Sequence, residues 1–378
     1  MGLIHLQGSQ LHVYKKNSIF TEQFMMCKKT DQGDLARLQV FRKSQWFPEV
    51  SRPDNQYGFL WENRAEKIAQ TGMFQHYRMG QSLRKRYSNF LSSQSKNGLR
   101  EAKECTSSSE CFLIGLNDLP FFDYSFSSNR PYADDQMDIV CPQLLMETSR
   151  MYDSDEGYKI ISENKRMYEY WSDNSGMKIR NPADAIALFQ SLSLQKSLNL
   201  STPTWATSSW DDLKKQADIH FYWISKQKSM QRLTAGPLLG LMIKRMQDRI
   251  NGDSRKVYVY SGRNSNIAGL LSSFGTYKGV EPPFGSTVVV ELHEYNGGSY
   301  VRVLYFYSST PNLETDEPEV IVIRGCSEYC PFEKFRSLTK SLVPENWEEE
   351  CGFSSAITLC NMVFLVILCI LLSFIENA

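Results

Sequence analysis

The chain has 378 residues, of which 42% are hydrophobic and 12% aromatic. This length and composition predict a globular protein with a sizeable core. The 42 Lys and Arg residues balance the 42 Asp and Glu residues, which excludes nucleic-acid binding driven by net charge, so any charged site must be local.

The first part of the chain is predicted to hold one short strand followed by helices. Residues 1–37 are polar and poorly patterned, lack the apolar run of a secretory signal peptide, and are interpreted as an N-terminal extension. A strand is predicted at 38–41. A helix is predicted from Thr71, where apolar and aromatic residues recur at near-helical spacing as far as Leu91. A loop is expected at 92–109.

The second part is predicted to change from helices to strands. Helical patterns cover 142–198, 209–226 and 237–250, the last with Pro in its first turn. Strands are then predicted at 256–260, 287–292, 300–307 and 319–324, and Asn296-Gly297-Gly298 indicates a hairpin between the second and third. Strands and helices at both ends with helices between them predict an α/β core that carries a helical insertion.

The segment 356–375 contains no charged residue, and it is predicted to be a transmembrane helix because roughly 20 such residues span a bilayer core. A lipid-anchor signal is the weaker alternative, since the small residues at 352–356 have no polar spacer before the apolar tail. Neither flank carries a Lys or Arg cluster, so flanking charge does not orient the segment.

The nine cysteines include no C-x-x-C pair and no nearby group of histidines, so we expect no metal site. We also expect no cofactor. Cys326 and Cys330 bracket a short loop. A disulfide there would imply an oxidising compartment, and two unrelated free thiols are the alternative. Asn199 begins the sequence Asn-Leu-Ser, a glycosylation sequon that matters if the domain reaches the secretory lumen.

Six stretches, taken in order, resemble the histidine acid phosphatases of the lysosomal and prostatic type over residues 38–351. They are Ala69–Gly80, Leu83–Tyr87, Thr202–Thr207, Val259–Leu270, Gly325–Phe335 and Pro344–Cys351. The resemblance implies a histidine-phosphatase-like core sheet flanked by helices, formed by 38–125 and 250–350, with a mainly helical cap at 126–249. It also implies two disulfides, Cys141 with Cys351 and Cys326 with Cys330.

The chemistry of this family depends on an Arg-His-Gly-Asp-Arg-Ser-Pro motif after the first strand, whose His attacks phosphorus, and on a later His-Asp pair. The matching stretch 42–48 is Arg-Lys-Ser-Gln-Trp-Phe-Pro, which puts Lys43 in place of the nucleophile and Trp46 in place of an arginine. The later pair is replaced by Arg263 and Asn264, and an amide cannot donate a proton as an acid. The resemblance therefore implies that no catalytic residue is present.

A different register of the first motif sets the residues 31–34, Asp-Gln-Gly-Asp, against it, and this register also lacks the His. The loss of the nucleophile is therefore independent of the alignment. The remaining histidines fall in patterned helices and strands or in the extension, and we expect them to be packed or solvated.

Three cations without a nucleophile can hold a phosphate or carboxylate without turning it over. Because the resemblance places Arg42, Lys43 and Arg263 around one pocket, we predict a membrane-tethered pseudophosphatase of the lysosomal or cell-surface pathway that acts as an anion-binding or protein-interaction module. A relaxed site without a ligand, and an acid phosphatase with weak activity, are the alternatives. A nucleic-acid partner is not expected, and the sequence specifies no oligomeric state.

Overall fold

The computed structural model describes residues 20–26, 70–88, 106–117, 141–197, 201–253, 257–262, 264–283, 285–307 and 317–353. The strands are β1 (Phe20–Met26), β2 (Val257–Gly262), β3 (Thr287–Tyr295), β4 (Gly298–Phe306), β5 (Glu319–Ile321) and β6 (Cys330–Pro331). The helices before β2 are α1 (Gln70–Arg86), α2 (Thr106–Leu116), α3 (Pro142–Tyr152), α4 (Asp155–Glu163), α5 (Lys165–Ser175), α6 (Pro182–Ser197), α7 (Thr204–Ser208), α8 (Trp210–Lys226), α9 (Lys228–Thr234) and α10 (Gly236–Ile250). After β2 come α11 (Asn264–Ser273), α12 (Phe332–Thr339), a 3-10 turn (Lys340–Leu342) and α13 (Trp347–Glu350).

One mixed sheet contains all the described strands in the order β2-β1-β3-β4-β5, with β6 paired to β4. β1 runs parallel to β2, with Thr21 opposite Val257 and Met26 opposite Gly262, and antiparallel to β3. The β3–β4 hairpin turns at Asn296 and Gly297, which both have positive φ (49° and 75°), as a two-residue hairpin turn of this kind requires. The predicted hairpin is therefore present.

The structure differs from the prediction at the start of the chain: β1 lies inside the segment 1–37 and pairs with β2 and β3, so this segment is not only a polar extension. A strand inside a sheet whose two faces are both covered usually shows a continuous apolar run. The polar residues Thr21, Glu22 and Gln23 interrupt that run, which is why the pattern did not indicate a strand. The strand predicted at 38–41 lies outside the described residues.

Both faces of the sheet are covered, which makes the core a three-layer α/β/α arrangement. On one face the side chains of alternate residues such as Tyr258, Val290 and Val303 pack against α10, α11 and α12. On the other face residues such as Val259 and Leu304 pack against α1 and α2. The period of two along each strand thus fills two separate hydrophobic layers.

The helices α1 and α2 cross at two glycines. A Cβ atom added at Gly80 would collide with the Phe112 carbonyl oxygen, and one at Gly115 would collide with the Tyr77 carbonyl oxygen. Only backbone fits between the helices at this crossing, so glycine is required at both positions.

Within the described part of 126–249, every element is a helix. Side chains of α5, α6 and α8, including Trp171, Leu188 and Leu213, form a hydrophobic cluster separate from the sheet. The last helix of this range, α10, instead packs on the sheet through Leu239 and Met242. The helices that cover this face of the sheet therefore include α10, which begins at Gly236, inside the range 126–249 predicted to be the cap.

Both disulfides implied by the resemblance are present. Cys141 and Cys351 join the start of α3 to the end of α13 across 210 residues, and Cys326 and Cys330 close a short loop before β6. Arg232 reinforces the first connection, because its Nε and Nη2 atoms donate to the Glu350 carboxylate at 2.5 and 2.6 Å.

Among the residues described, no helix combines the length and apolarity that crossing a bilayer needs, and the segment 356–375 lies outside them.

Candidate functional site

The carboxyl ends of the two parallel strands β1 and β2 meet at one edge of the sheet, where Met26 pairs with Gly262. The helix α11 begins at Asn264, two residues beyond β2, so its amino end points at this edge. A helix amino end that follows a strand carries unpaired N–H groups and a partial positive charge, which favour an anionic ligand. The edge also corresponds to the position where α/β sheets commonly bind ligands.

Asn264 is half-buried, and both ends of its side-chain amide are hydrogen-bonded within the protein. Its Nδ2 donates to Glu281 Oε1 at 3.0 Å, and its Oδ1 accepts from the Ser265 N–H at 3.1 Å. The amide therefore fixes the start of α11 but has no acidic proton to give to a ligand.

Glu281, only 8% exposed, connects the start of α11 to two cap helices. Its Oε1 also accepts from Gln190 Nε2 on α6 at 3.1 Å, and its backbone N–H donates to Asp218 Oδ1 on α8 at 2.8 Å. The other Asp218 oxygen, Oδ2, pairs with Lys214 Nζ at 2.6 Å. Among the described residues that make these contacts, the edge therefore carries two carboxylates, Glu281 and Asp218, and one ammonium group, Lys214.

Tyr277 lies beside the same carboxylates. Burial raises the pKa of its phenol well above the ordinary value, and the charges of Asp218, Tyr305 and Glu281 raise it further. Its hydroxyl donates to the Val280 carbonyl at 2.9 Å, so the phenol remains a neutral donor rather than a base.

The three histidines among the described residues do not occupy this edge. His76 is buried in α1, and burial lowers its pKa to about 4. His220, whose pKa burial also lowers to about 4, exchanges a 2.8 Å hydrogen bond with the Tyr152 hydroxyl. His293 contacts Glu291 at 2.9 Å, and Glu291 pairs with Thr21 near the opposite ends of β1 and β2.

The predicted site residues are only partly within the described ranges. Arg42, Lys43, Arg263 and the sequon residue Asn199 lie outside them, so their grouping stays a prediction, while Asn264 lies at the edge as expected. The first described strand ends at Met26, and the residues 31–34 follow it more closely than 42–48 do. Neither register of the first motif contains a histidine.

Sequence reasoning did not single out Glu281, Gln190 or Asp218. A carboxylate in the otherwise uncharged stretch 279–283 is a weak signal for Glu281. Nothing in the sequence marks Gln190 or Asp218, because their contacts with Glu281 depend on how the cap helices pack against the core.

The fold and this edge define an α/β protein of the phosphatase type, with a helical cap over the carboxyl ends of its parallel strands. The sequence profile of the histidine phosphatase superfamily (branch 2) matches residues 103–306, more than half of the chain. The chain therefore belongs to the histidine acid phosphatase family, as the resemblance predicted.

Named relatives agree. The chain is 26% identical to the prostatic acid phosphatase of Rattus norvegicus over 362 residues, covering 86% of this chain and 92% of that protein. It is 27% identical to the venom acid phosphatase Acph-1 of Apis mellifera over 348 residues, covering 85% and 88%. The lysosomal acid phosphatase of Xenopus laevis is 25% identical over 323 residues, covering 79% and 74%.

Solved structures agree on the fold. The phytase of Citrobacter braakii has a TM-score of 0.62 at 13% identity, covering 89% of this chain and 99% of that one. The phytase of Hafnia alvei in complex with myo-inositol hexakis sulphate has a TM-score of 0.59 at 17% identity, covering 88% and 97%. At these identities the likeness concerns the fold alone.

Proposed function

We propose that this protein binds phosphate monoesters or related anions at the carboxyl edge of β1 and β2 and hydrolyses them weakly or not at all. The observation that carries the proposal is Asn264, an amide at the start of α11 whose Nδ2 is bonded to Glu281. An acid of the family at this position would donate the proton to the leaving alcohol. The Asn264 amide occupies that position but cannot donate a proton as an acid.

The proposed lack of turnover follows from two losses. Removing a positioned general acid typically slows a reaction by about two to four orders of magnitude. The covalent route also needs an imidazole at the edge, and the three histidines that the structure describes lie elsewhere. His76 is buried in α1, His220 shares a hydrogen bond with the Tyr152 hydroxyl, and His293 contacts Glu291. A lysine at position 43 would be protonated near neutral pH, and a protonated amine cannot attack phosphorus.

Anion binding needs neither of these groups. The amino end of α11 favours a negative charge, and Arg263 immediately precedes it in the sequence. Arginine and lysine at 42 and 43 would add charge-assisted hydrogen bonds to phosphoryl oxygens.

The second candidate is an acid phosphatase that hydrolyses phosphate monoesters, and the comparisons favour it more than they favour inactivity. The relatives described above are all named acid phosphatases, and the alignments extend over most of each protein. In this alternative another nucleophile, such as a water molecule held by the cations, would replace the histidine.

We further propose that residues 356–375 tether the protein to a membrane and that the domain faces the lysosomal or secretory lumen. The lysosomal and prostatic names of the relatives support this location. The two disulfides support it as well, because such bonds persist in oxidising compartments.

Hydrolysis of p-nitrophenyl phosphate by the full chain, purified in mild detergent, distinguishes the two candidates. We expect turnover at acid and neutral pH to lie between the background of a heat-denatured sample and a small fraction of ordinary enzyme rates. Turnover at ordinary enzyme rates would establish the acid phosphatase instead. The rat prostatic enzyme, assayed under the same conditions, is the positive control.

Thermal-shift titration with inorganic phosphate tests the binding half of the proposal. We expect phosphate to raise the melting temperature of the wild type and Arg263→Gln to abolish the rise. The matched control is Arg336→Gln, which removes an exposed arginine of α12 that pairs with Glu333. No phosphate-dependent shift in the wild type would contradict anion binding.

A further inference from the structure

We propose that the exposed face of α3 rests on a membrane surface, where Leu145 and Met146 enter the boundary between the headgroups and the acyl chains of a zwitterionic bilayer. The inference rests on the proposed tether at 356–375. It goes further, because it assigns a second contact with lipid and, through that contact, a fixed orientation of the domain on the bilayer.

Two large apolar side chains stand side by side on this face. Leu145 is 59% exposed and Met146 is 50% exposed, and among the described residues no other two consecutive large apolar side chains are both exposed. Single exposed apolar residues are common on soluble proteins, whereas a contiguous apolar patch indicates a surface for a partner. The pair is therefore a candidate contact with an apolar partner.

The rest of the exposed face of α3 completes an amphipathic pattern. Pro142, Ser149 and Arg150 are also exposed, and together with Leu145 and Met146 they follow the three- and four-residue spacing of one helix face. The apolar pair lies in the first half of the helix and the cation lies in its last turn. When such a helix lies in the plane of a bilayer interface, its apolar side chains enter the acyl boundary and its basic ones meet the phosphates.

The start of α3 is held beside the end of α13, where the chain continues toward 356–375. The Cα atoms of Cys141 and Cys351 lie 5.1 Å apart, and the Gln143 N–H donates to the Cys351 carbonyl at 3.2 Å. Leu145 is one helical turn from Cys141, because its N–H donates to the Cys141 carbonyl at 3.2 Å. The backbone of the exposed pair therefore lies within about 12 Å of residue 351.

The short connection limits how far this side of the domain can be from the bilayer. Phe353 packs against the same cluster as Leu144, a cluster that includes Cys141 and Cys351. Two residues separate Phe353 from the uncharged segment, and three extended peptide steps span at most about 11 Å. A tether that begins at 356 therefore holds this side of the domain close to the headgroups, and α3 is a helix of this side.

The charges nearby favour a zwitterionic lipid over an anionic one. Glu348 and Glu349 of α13 and Glu345 before it are exposed, and Glu350 is paired with Arg232. Anionic headgroups repel exposed carboxylates, so the contact must be stabilised by apolar burial rather than by charge. The surface that fits this side is therefore a neutral one such as phosphatidylcholine.

The test is photolabelling of the full chain in phosphatidylcholine nanodiscs that contain a phosphatidylcholine with a diazirine near the carboxyl end of one acyl chain. Mass spectrometry of the peptides locates the adducts. We expect adducts on Leu145 and Met146 as well as within 356–375. Tyr307, which is 54% exposed after the end of β4, is the internal control and should stay unlabelled. Equal labelling of Tyr307 and the apolar pair would mean that the adducts report random collisions, and would overturn the proposal.

The double variant Leu145→Gln with Met146→Gln removes the apolar pair at exposed positions, where the fold does not depend on them. Burial of two such side chains favours the docked orientation by roughly tenfold or more. The adduct yield over 142–150, relative to that in 356–375, should fall about tenfold in this variant. Leu338→Gln, on α12, replaces an apolar side chain that is 40% exposed and should leave the ratio unchanged.

Adducts within 356–375 and none on α3 would overturn the α3 contact and leave the proposed tether standing. Adducts at neither place would overturn the tether, and the α3 contact with it. A second copy of the chain is the other occupant to exclude. An unlabelled α3, together with a dimer in detergent that light scattering shows to be lost in the double variant, would assign this face to self-association instead.

Discussion

The side chain of Asn264 donates a hydrogen bond to the carboxylate of Glu281 over 3.0 Å, across the boundary between the sheet edge and the loop that meets the cap. The contact matches an amide donor to a charged acceptor, which is one of the stronger kinds of hydrogen bond. The contact also makes the residue type at 264 depend on that at 281, because an Asp at 264 would place its carboxylate beside that of Glu281.

Asn264→Asp should therefore destabilise the protein at neutral pH by about 1–3 kcal/mol, because a donor is lost and like charges are brought together. The penalty should shrink in acid, where the pair can share a proton. Glu281→Gln in the same chain should restore stability, since the glutamine amide can donate to the new carboxylate. Thermal unfolding of the wild type, the single variant and the double variant at neutral and acid pH measures this.

The control for that series is Asn251→Asp, an exposed position at the end of α10. Equal losses of stability at 251 and 264, or no recovery in the double variant, would show that the contact between Asn264 and Glu281 contributes little.

Restoration of catalysis should also depend on this contact. The four changes Lys43→His, Trp46→Arg, Arg263→His and Asn264→Asp return the residue types of the family. We expect them to give more phosphomonoester hydrolysis when Glu281→Gln is added, because the repulsion between the carboxylates at 264 and 281, which would displace the new acid, is then absent. Initial rates with p-nitrophenyl phosphate compare the two combinations. Equal rates would mean that Glu281 does not limit the restored acid.

The sequence predicted the elements whose hydrophobic period is strong. The helices over 209–226 and 237–250 and the hairpin at Asn296 match the structure closely, since local spacing and turn residues determine them. β1 was missed because Thr21, Glu22 and Gln23 mask its position in the sheet. Its pairing with β2 and β3 is a long-range property that a local pattern does not contain.

The candidate site was also only partly predictable from the sequence. Asn264 could be identified because it follows a strand and stands in a motif of the family. Glu281 and its partners on α6 and α8 could not, because 17 residues separate Glu281 from Asn264 and the cap contacts come from still more distant parts of the chain. Hydrogen bonds between elements depend on packing rather than on spacing.

A second buried charge stabilises the other end of the sheet. The Tyr87 hydroxyl donates to Glu291 Oε1 at 2.5 Å, and His293 and Arg302 lie 2.9 and 3.6 Å from Oε2. Burial by itself would raise the pKa of Glu291, but the contacts with His293, Tyr87 and Arg302 together lower it below the usual value. The charged carboxylate is thus the form that the fold favours.

Tyr87→Phe should cost about 1.5–3 kcal/mol at neutral pH, because it removes a hydrogen bond to a buried charge. A pKa lowered by folding gives stability that is complete above the unfolded value and is lost as pH falls through the folded one. The penalty should therefore persist down to about pH 4 and diminish below it. Urea unfolding against pH, with the exposed Tyr158→Phe as control, measures it. A penalty that grows in acid would contradict this account.

Gly80→Ala tests the crossing of α1 and α2. Alanine favours a helix by about 1 kcal/mol over glycine, so a gain is expected wherever space allows. At Gly80 the added methyl group collides with the Phe112 carbonyl oxygen, and the backbone must move apart. We expect a net loss of several kcal/mol, measured by urea unfolding. Ser82→Ala in the same helix should change stability little, and a stabilised Gly80→Ala would show that the helices can separate freely.

The two disulfides should differ in their effect on stability because they close loops of very different length. Cys141 and Cys351 are 210 residues apart, and the entropy model assigns such a loop about 5 kcal/mol of stabilisation. Cys326 and Cys330 are 4 residues apart, and the same model assigns them about 2 kcal/mol.

We expect Cys141→Ala with Cys351→Ala to lower the free energy of unfolding more than Cys326→Ala with Cys330→Ala. The first bridge also holds α3 against α13, where Gln143 N–H donates to the Cys351 carbonyl. Urea unfolding under non-reducing conditions compares the double variants, and equal losses would mean that local packing, rather than loop closure, determines what each bridge contributes.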